Sequence, residues 1–273
     1  GEPNWIAKMI GAHEATARNT GARLVFSCGF DSIPFDLGVW FLQKEAKARF
    51  GAPFPRVRGR VRGIKGGLSG GTAASGAATM AAAQKDPSVY QILMNPFACT
   101  PGFEGPQQPN GSKPYYDEAV GSWVGPFMMA SINTKAVHRT NFLAGFAYGR
   151  DFQYDEMLMI ENAEAAGGSG FDASGSVPKP GEGPTPEERE TGWYDLLFVG
   201  EAADGRTLKA SVKGDKDPGY GSTSKILAEA AVALAAIPRD QTPGGCWTAA
   251  SAMGEALLQR LPQKAGLTFQ LES

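Results

Sequence analysis

The order of elements in the first 50 residues limits this chain more than any other feature. Trp5, Ile6, Met9 and Ile10 recur at helical spacing behind Pro3, and Gly21 stands where a C-terminal cap falls, so residues 3 to 20 read as an amphipathic helix. Arg23-Leu24-Val25-Phe26-Ser27-Cys28 follows, short, apolar and closed by Gly29, the pattern of a buried strand. Asp31 or Ser32 can then cap a helix whose first turn admits Pro34 and which continues through Leu37, Val39, Trp40, Phe41 and Leu42. Helix, buried strand, polar loop, helix is one turn of a doubly wound α/β fold. No earlier strand leads into it, so the fold reads as entered in its middle.

The pattern changes at Arg56. Arg56, Arg58, Arg60 and Arg62 alternate with Val57, Gly59 and Val61, a period of two that predicts a strand with four arginines on one face. The glycine-rich run Gly66 to Gly71 and an alanine-rich helix over about 72–84 come next, then a proline-rich loop over 100–118. A helix is expected from Pro126 and a strand through Phe152, Tyr154 and Leu158. Residues 167 to 186 hold six glycines and four prolines and read as a long excursion. Trp193–Glu201 and Arg206–Lys213 flank Asp204-Gly205, a dipeptide favoured in tight hairpins. Helices are expected over 222–237, stopped by Pro238, and 248–261, stopped by Pro262, with a last strand over 267–271. The fold class is α/β in the broad sense (α+β): residues 51–220 form a mixed, largely antiparallel sheet covered by helices, and residues 221–273 pack back on 1–50.

Composition narrows the function classes. With 42% hydrophobic and 20% charged residues, the 273-residue chain is globular rather than disordered. A net charge of −2 supplies no field for nucleic acid, and no run of 18 apolar residues is present to span a membrane. Charge is nevertheless segregated: residues 1–65 carry 11 basic and 5 acidic side chains, and residues 151–204 carry 2 basic and 13 acidic, so the two regions are able to attract each other or separate partners. Cys28, Cys99 and Cys246 are too far apart for a metal motif and read as reduced thiols of a cytoplasmic protein. His13 and His138, the only histidines, offer little to a histidine-based site, and no metal is expected.

Two loops carry polar chemistry. Cys28-Gly29-Phe30-Asp31-Ser32-Ile33-Pro34 leaves the carboxyl end of a buried strand, where open α/β sheets place ligands; the competing reading makes Asp31 or Ser32 a helix cap and Cys28 a core residue. Ser69-Gly70-Gly71-Thr72 sets flexible amides ahead of a helix, suited to an anion, or is a capped strand-to-helix turn; it has neither Walker nor dinucleotide spacing. The arginine ladder either clamps an anion or pairs with acids on neighbouring strands.

Taken with Asp217-Pro218-Gly219-Tyr220-Gly221-Ser222-Thr223, the Cys28–Gly38 stretch and Ser69–Thr72 make the chain resemble the saccharopine dehydrogenase-like oxidoreductases, in particular the trans-acting enoyl reductases. Gly1-Glu2-Pro3, Pro184–Arg189, Met253-Gly254 and Ala265–Phe269 extend the resemblance along the whole chain. It implies an NAD- or NADP-dependent enzyme with a Rossmann domain and a second domain whose sheet covers the cleft, acting on an enoyl or other acyl-lipid intermediate. Residues 1–50 then correspond to the C-terminal remnant of the dinucleotide-binding domain and 51–220 to the substrate domain. The family's glycine loop belongs ahead of Gly1, so this chain alone is expected to bind the cofactor weakly or not at all and to be inactive. The resemblance makes Gly29, Phe30, Ser32 and Pro34 cofactor-binding, Ser69, Gly70, Gly71 and Thr72 substrate-binding, and Asp31 and Tyr220 the catalytic candidates. The alternatives are a non-catalytic acyl-chain binder and a homodimerisation module.

Overall fold

The computed structural model describes residues 1–167 and 177–273; the rest of the predicted excursion lies outside the described residues. In chain order the elements are α1 (Pro3–Thr20), β1 (Arg23–Val25), α2 (Ile33–Phe50), β2 (Arg56–Lys65), α3 (Gly70–Lys85), α4 (Pro87–Met94), β3 (Tyr115–Asp117), β4 (Ser122–Pro126), α5 (Ala130–Leu143), β5 (Gln153–Ile160), α6 (Pro186–Thr191), β6 (Trp193–Glu201), β7 (Thr207–Gly214), α7 (Gly221–Ala236), β8 (Gly245–Trp247), α8 (Ala249–Lys264) and β9 (Leu267–Glu272).

Seven strands form one sheet in the order β3-β4-β5-β2-β6-β7-β9. The β2–β5 pair is parallel and the other neighbours are antiparallel, giving the mixed, mostly antiparallel sheet expected. The β6–β7 hairpin turns through a three-residue connection, Ala203–Gly205, with Gly205 at φ 85°, the left-handed position such turns reserve for glycine. A separate parallel pair, β1 with β8, aligns Leu24 with Cys246.

One face of the large sheet is apolar and the other is ionic. Val57 and Val61 of β2 are buried in a core shared with α2, α7 and α8. Phe198 of β6 packs so closely on α2 that a Cβ on Gly38 would lie 2.3 Å from its ring, which is why glycine stands there. On the other face the arginine ladder is paired: Arg56 with Asp155, Arg58 with Glu201, Arg60 with Asp117 and Asp155, and Arg62 with Asp195 and Glu272. The segregated charges of the sequence therefore meet across neighbouring strands.

Several local expectations are corrected. Residues 122–126 form β4, and the helix expected from Pro126 begins at Ala130. The α8 helix continues through Pro262 to Lys264, because a proline in the last turn forfeits only one backbone bond. Strand β1 ends at Val25, and Ser27 takes φ 56° as the chain turns into the polar loop. Among the described residues no helix is long and apolar enough to cross a membrane.

Candidate active site

The Gly29–Pro34 loop leaves the carboxyl end of β1 and meets two distant segments. Phe30 N–H donates to Thr223 Oγ1 at 3.0 Å, and Thr223 Oγ1 donates to the Pro218 carbonyl at 2.7 Å. Fully buried Asp217 holds the Asp217–Gly221 turn by accepting from Tyr220 N–H at 3.0 Å and Gly221 N–H at 2.6 Å. That turn lies directly on the glycine run after β2: a Cβ on Gly66 would stand 2.7 Å from Pro218 Cδ, and one on Gly219 would stand 2.8 Å from the Gly67 carbonyl. Glycine on both sides allows the two backbones to touch.

The result is a cleft of about 530 Å³ whose walls include Phe30 and Asp31, Ser69 and Thr72, Met129, and Tyr220. Segments separated by up to about 190 residues in sequence share it. Larger concavities of about 1650, 1240 and 1200 Å³ exist elsewhere, but none collects these motifs.

Asp31 does not cap α2, and its carboxylate has no hydrogen-bond partner among the described residues. Burial raises its pKa, and Glu2 adds to the rise. Ser32 is the N-cap residue, yet its hydroxyl makes no cap bond and instead reaches Asn133 at 3.4 Å. Phe30 is buried, its ring 4.7 Å from that of Tyr194. Ser32 and Pro34 are buried behind the loop, so of the Gly29–Pro34 residues Phe30 and Asp31 are the ones that line the cleft.

Ser69 caps α3, accepting from Thr72 N–H at 3.2 Å while its hydroxyl exchanges a bond with Thr72 Oγ1 at 2.9 Å. Gly70 N–H donates to the Glu182 carbonyl at 2.9 Å, and Gly71 is exposed outside the cleft. Two of the amides expected to cradle an anion are thus bound within the protein. Tyr220 donates its phenol proton to the same Glu182 carbonyl at 3.0 Å, and the Arg189 guanidinium lies 4.9 Å from its ring.

No protein-family model matches the chain, and no solved structure does. A Mycobacterium tuberculosis protein named provisionally as a trans-acting enoyl reductase is 36% identical over 303 residues, spanning 99% of this chain and 72% of the relative. The trans-acting enoyl reductase of Mycobacterium ulcerans is 31% identical over 96% of this chain and 71% of its own length. That of Mycobacterium bovis is 30% identical over 96% of this chain and 70% of its own. The chain belongs to the trans-acting enoyl reductase family.

In this enoyl reductase family member the remaining reactive side chains stand apart from the cleft. Burial pushes Cys28 up to about 11, with Asp36 adding to the effect, so it is a neutral thiol at physiological pH. His138 is buried among Phe97 and Phe152, and burial lowers it to about 3. Sequence reading missed the roles of Asp217, Thr223 and Met129. The first two lie in a motif that was noticed but not resolved into parts; Met129 has no sequence signal, because it reaches the cleft only by the packing of α5.

Proposed function

We propose that this chain forms the substrate-binding part of a nicotinamide-dependent reductase of saccharopine dehydrogenase-like type, acting on the carbon–carbon double bond of an acyl substrate. The observation that carries the reading is the convergence of Asp31, Ser69, Thr72 and Tyr220 on one cleft in a member of a family named for enoyl reduction.

In this reading residues 1–50 belong to a dinucleotide-binding layer, 51–220 form the substrate domain, and 221–273 close against the first part. The arrangement of β1 supports it. Its outer edge faces an apolar groove of about 1200 Å³ between α1 and α7, with Trp5, Leu24 and Leu227 exposed, a form suited to further strands. The cleft lies beyond the carboxyl end of the parallel β1–β8 pair, the position at which such sheets bind ligands. Its fit to a nicotinamide rests on the carboxyl of Asp31, which lines the cleft and makes no hydrogen bond among the described residues. The cofactor, NADP or NAD, supplies a hydride when bound.

The chain's own groups have the remaining tasks. Asp31, which lines the cleft and makes no hydrogen bond among the described residues, is placed to exchange a proton at the cleft wall. Ser69 and Thr72 offer hydroxyl oxygens to the substrate. Tyr220 serves in proton delivery only if its bond to Glu182 exchanges, so Asp31 takes precedence. The test is oxidation of NADPH or NADH by the full-length protein in the presence of an α,β-unsaturated acyl thioester, followed by absorbance. Substrate-dependent oxidation that weakens in Asp31→Asn supports the reading; no oxidation with either cofactor overturns it.

A further inference from the structure

A carboxyl group is buried behind the cleft with no ion-pair partner among the described residues. Glu156 projects from β5 into the interface with α5 and is 1% exposed. Tyr154 Oη donates to its Oε1 at 2.8 Å, and Asn133 Nδ2 donates to its Oε2 at 2.8 Å. Asn133, itself wholly buried, presents its other amide atom, Oδ1, to the hydroxyl of Ser32 at 3.4 Å. The series Tyr154, Glu156, Asn133, Ser32 thus runs from the sheet to the loop that carries Asp31.

Three features separate this series from incidental packing. Space is left for it in β2, where a Cβ on Gly59 would fall 2.8 Å from Tyr154 Oη and 3.1 Å from Glu156 Cγ. Ser32 occupies the N-cap of α2 but gives up the local cap bond; Pro34 at the second helical position has no N–H to offer, and the hydroxyl turns to Asn133 instead. Asn133 also stands one helical turn after Met129, donating its backbone N–H to the Met129 carbonyl at 3.0 Å, and Met129 lines the cleft. Asn133 therefore connects with the cleft in two ways, through its side chain to the loop that carries Asp31 and through its backbone to Met129.

The amide of Asn133 has one donating and one accepting end, and both Glu156 oxygens act as acceptors, one from Tyr154 Oη and the other from Asn133 Nδ2. Glu156 therefore selects the end that faces it and leaves the carbonyl for Ser32. From this juxtaposition we infer that Glu156 is a positioning residue: acting through Asn133, it fixes Ser32 and with it the Gly29–Pro34 loop that presents Asp31 to the cleft. The functional part of this inference rests on the reading of that cleft as the reacting site.

The test compares Glu156→Met, Glu156→Gln, Ser32→Ala and the Glu156→Met/Ser32→Ala double variant by hydrogen–deuterium exchange of residues 29–36 and by titration of the full-length protein with NADPH. Glutamine keeps a carbonyl for Asn133 and an amide for the Tyr154 oxygen; methionine keeps the bulk and removes both. The expected result is about tenfold faster exchange at 29–36 in Glu156→Met and Ser32→Ala, with the double variant no faster than either, since both break one series. Glu156→Gln should stay within about twofold of the wild type, and NADPH affinity should fall in the same order. Independent, multiplying effects of the two substitutions would overturn the inference, as would an increase spread evenly over the chain. If Glu156→Met does not fold, Ser32→Ala and Glu156→Gln decide: unchanged exchange at 29–36 in Ser32→Ala, or a loosening in Glu156→Gln equal to that of Ser32→Ala, refutes it. A wild type that binds no NADPH counts against the cleft reading, while the exchange coupling still judges the positioning role.

Discussion

Gly70 and Glu182 are joined by a backbone bond of 2.9 Å that ties the segment before α6 to the first turn of α3. A Cβ on Gly70 would lie 1.7 Å from the Lys179 carbonyl and 3.0 Å from that of Glu182, so no side chain fits without moving this strap. Glu182 also receives the Tyr220 phenol, which places one carbonyl between two residues singled out for the cleft.

Gly70→Ala is therefore expected to displace residues 179–183 and cost about 1–3 kcal/mol, the range for overpacking a close contact. Denaturant unfolding measures the loss, and limited proteolysis near Lys179 should accelerate. An alanine variant with wild-type stability and cleavage would show that the strap does not depend on this contact.

Asp31→Asn separates a cleft role from a structural one. The carboxylate makes no hydrogen bond among the described residues and burial disfavours its charge, so amidation should leave the melting temperature unchanged or slightly higher. Turnover of the full-length protein should fall about tenfold or more if the group handles a proton. Full turnover, or a loss explained by unfolding, would remove Asp31 from the site.

Asp36 predicts a pH dependence. Its carboxyl accepts from Thr140 Oγ1 at 2.6 Å and Ala250 N–H at 2.9 Å, joining α2, α5 and α8, and burial raises its pKa to about 7. The unfolded chain releases this proton near the ordinary value of 3.8, so between 3.8 and about 7 the folded state holds more protons. Its contribution is full below pH 4 and is lost as pH rises through 7. Asp36→Asn should flatten that part of the stability–pH curve, a difference on the order of 2–4 kcal/mol across the window. Parallel curves for the two proteins would contradict the assignment.

His138 gives the opposite slope. Burial lowers its pKa to about 3 from 6.5, so the unfolded state takes up the proton first and stability declines as pH falls from about 6.5 toward 3. Its Nε2 is buried without a hydrogen-bond partner among the described residues, and Phe97 and Phe152 surround the ring. His138→Phe should remove the acid-side loss and be more stable by roughly 1–2 kcal/mol at pH 5, read by thermal melts. A variant that still loses stability below pH 6 to the same extent would argue against it.

Local order was legible in the sequence wherever a short-range rule governs it. Period two in Arg56–Lys65, Pro3 before a helical stripe, and Asp204-Gly205 between two alternating runs each depend on neighbouring residues alone, and each element stands where it was expected. Pro184–Arg189, singled out only for the family resemblance, opens α6 with a capping box in which Thr185 and Glu188 bond reciprocally. Charge segregation left attraction between the regions as one of two readings, and it is the pairing of the arginine ladder with acids of β5 and β6 that the structure shows, since opposite signs on adjacent strands attract. The short strand β8 left no trace, because three residues carry no period, and β4 was taken for a helix start because Pro126 suits either role.

The sequence by itself thus determined the longer periodic elements and the motifs that mark family membership. Tertiary structure decided what those motifs do together. Asp31 comes to line a cleft only because Thr223 and Pro218, about 190 residues away, meet the loop that carries it. Ser32 turned from a local cap to a tertiary bond because α5 brings Asn133 to it. Glu156 reads in sequence as one more polar position on a strand; only the sheet–helix interface makes it a buried carboxyl with two donors. Such assignments escape sequence reading because burial and hydrogen-bond geometry belong to contacts between distant segments, and no local pattern encodes which segments will meet.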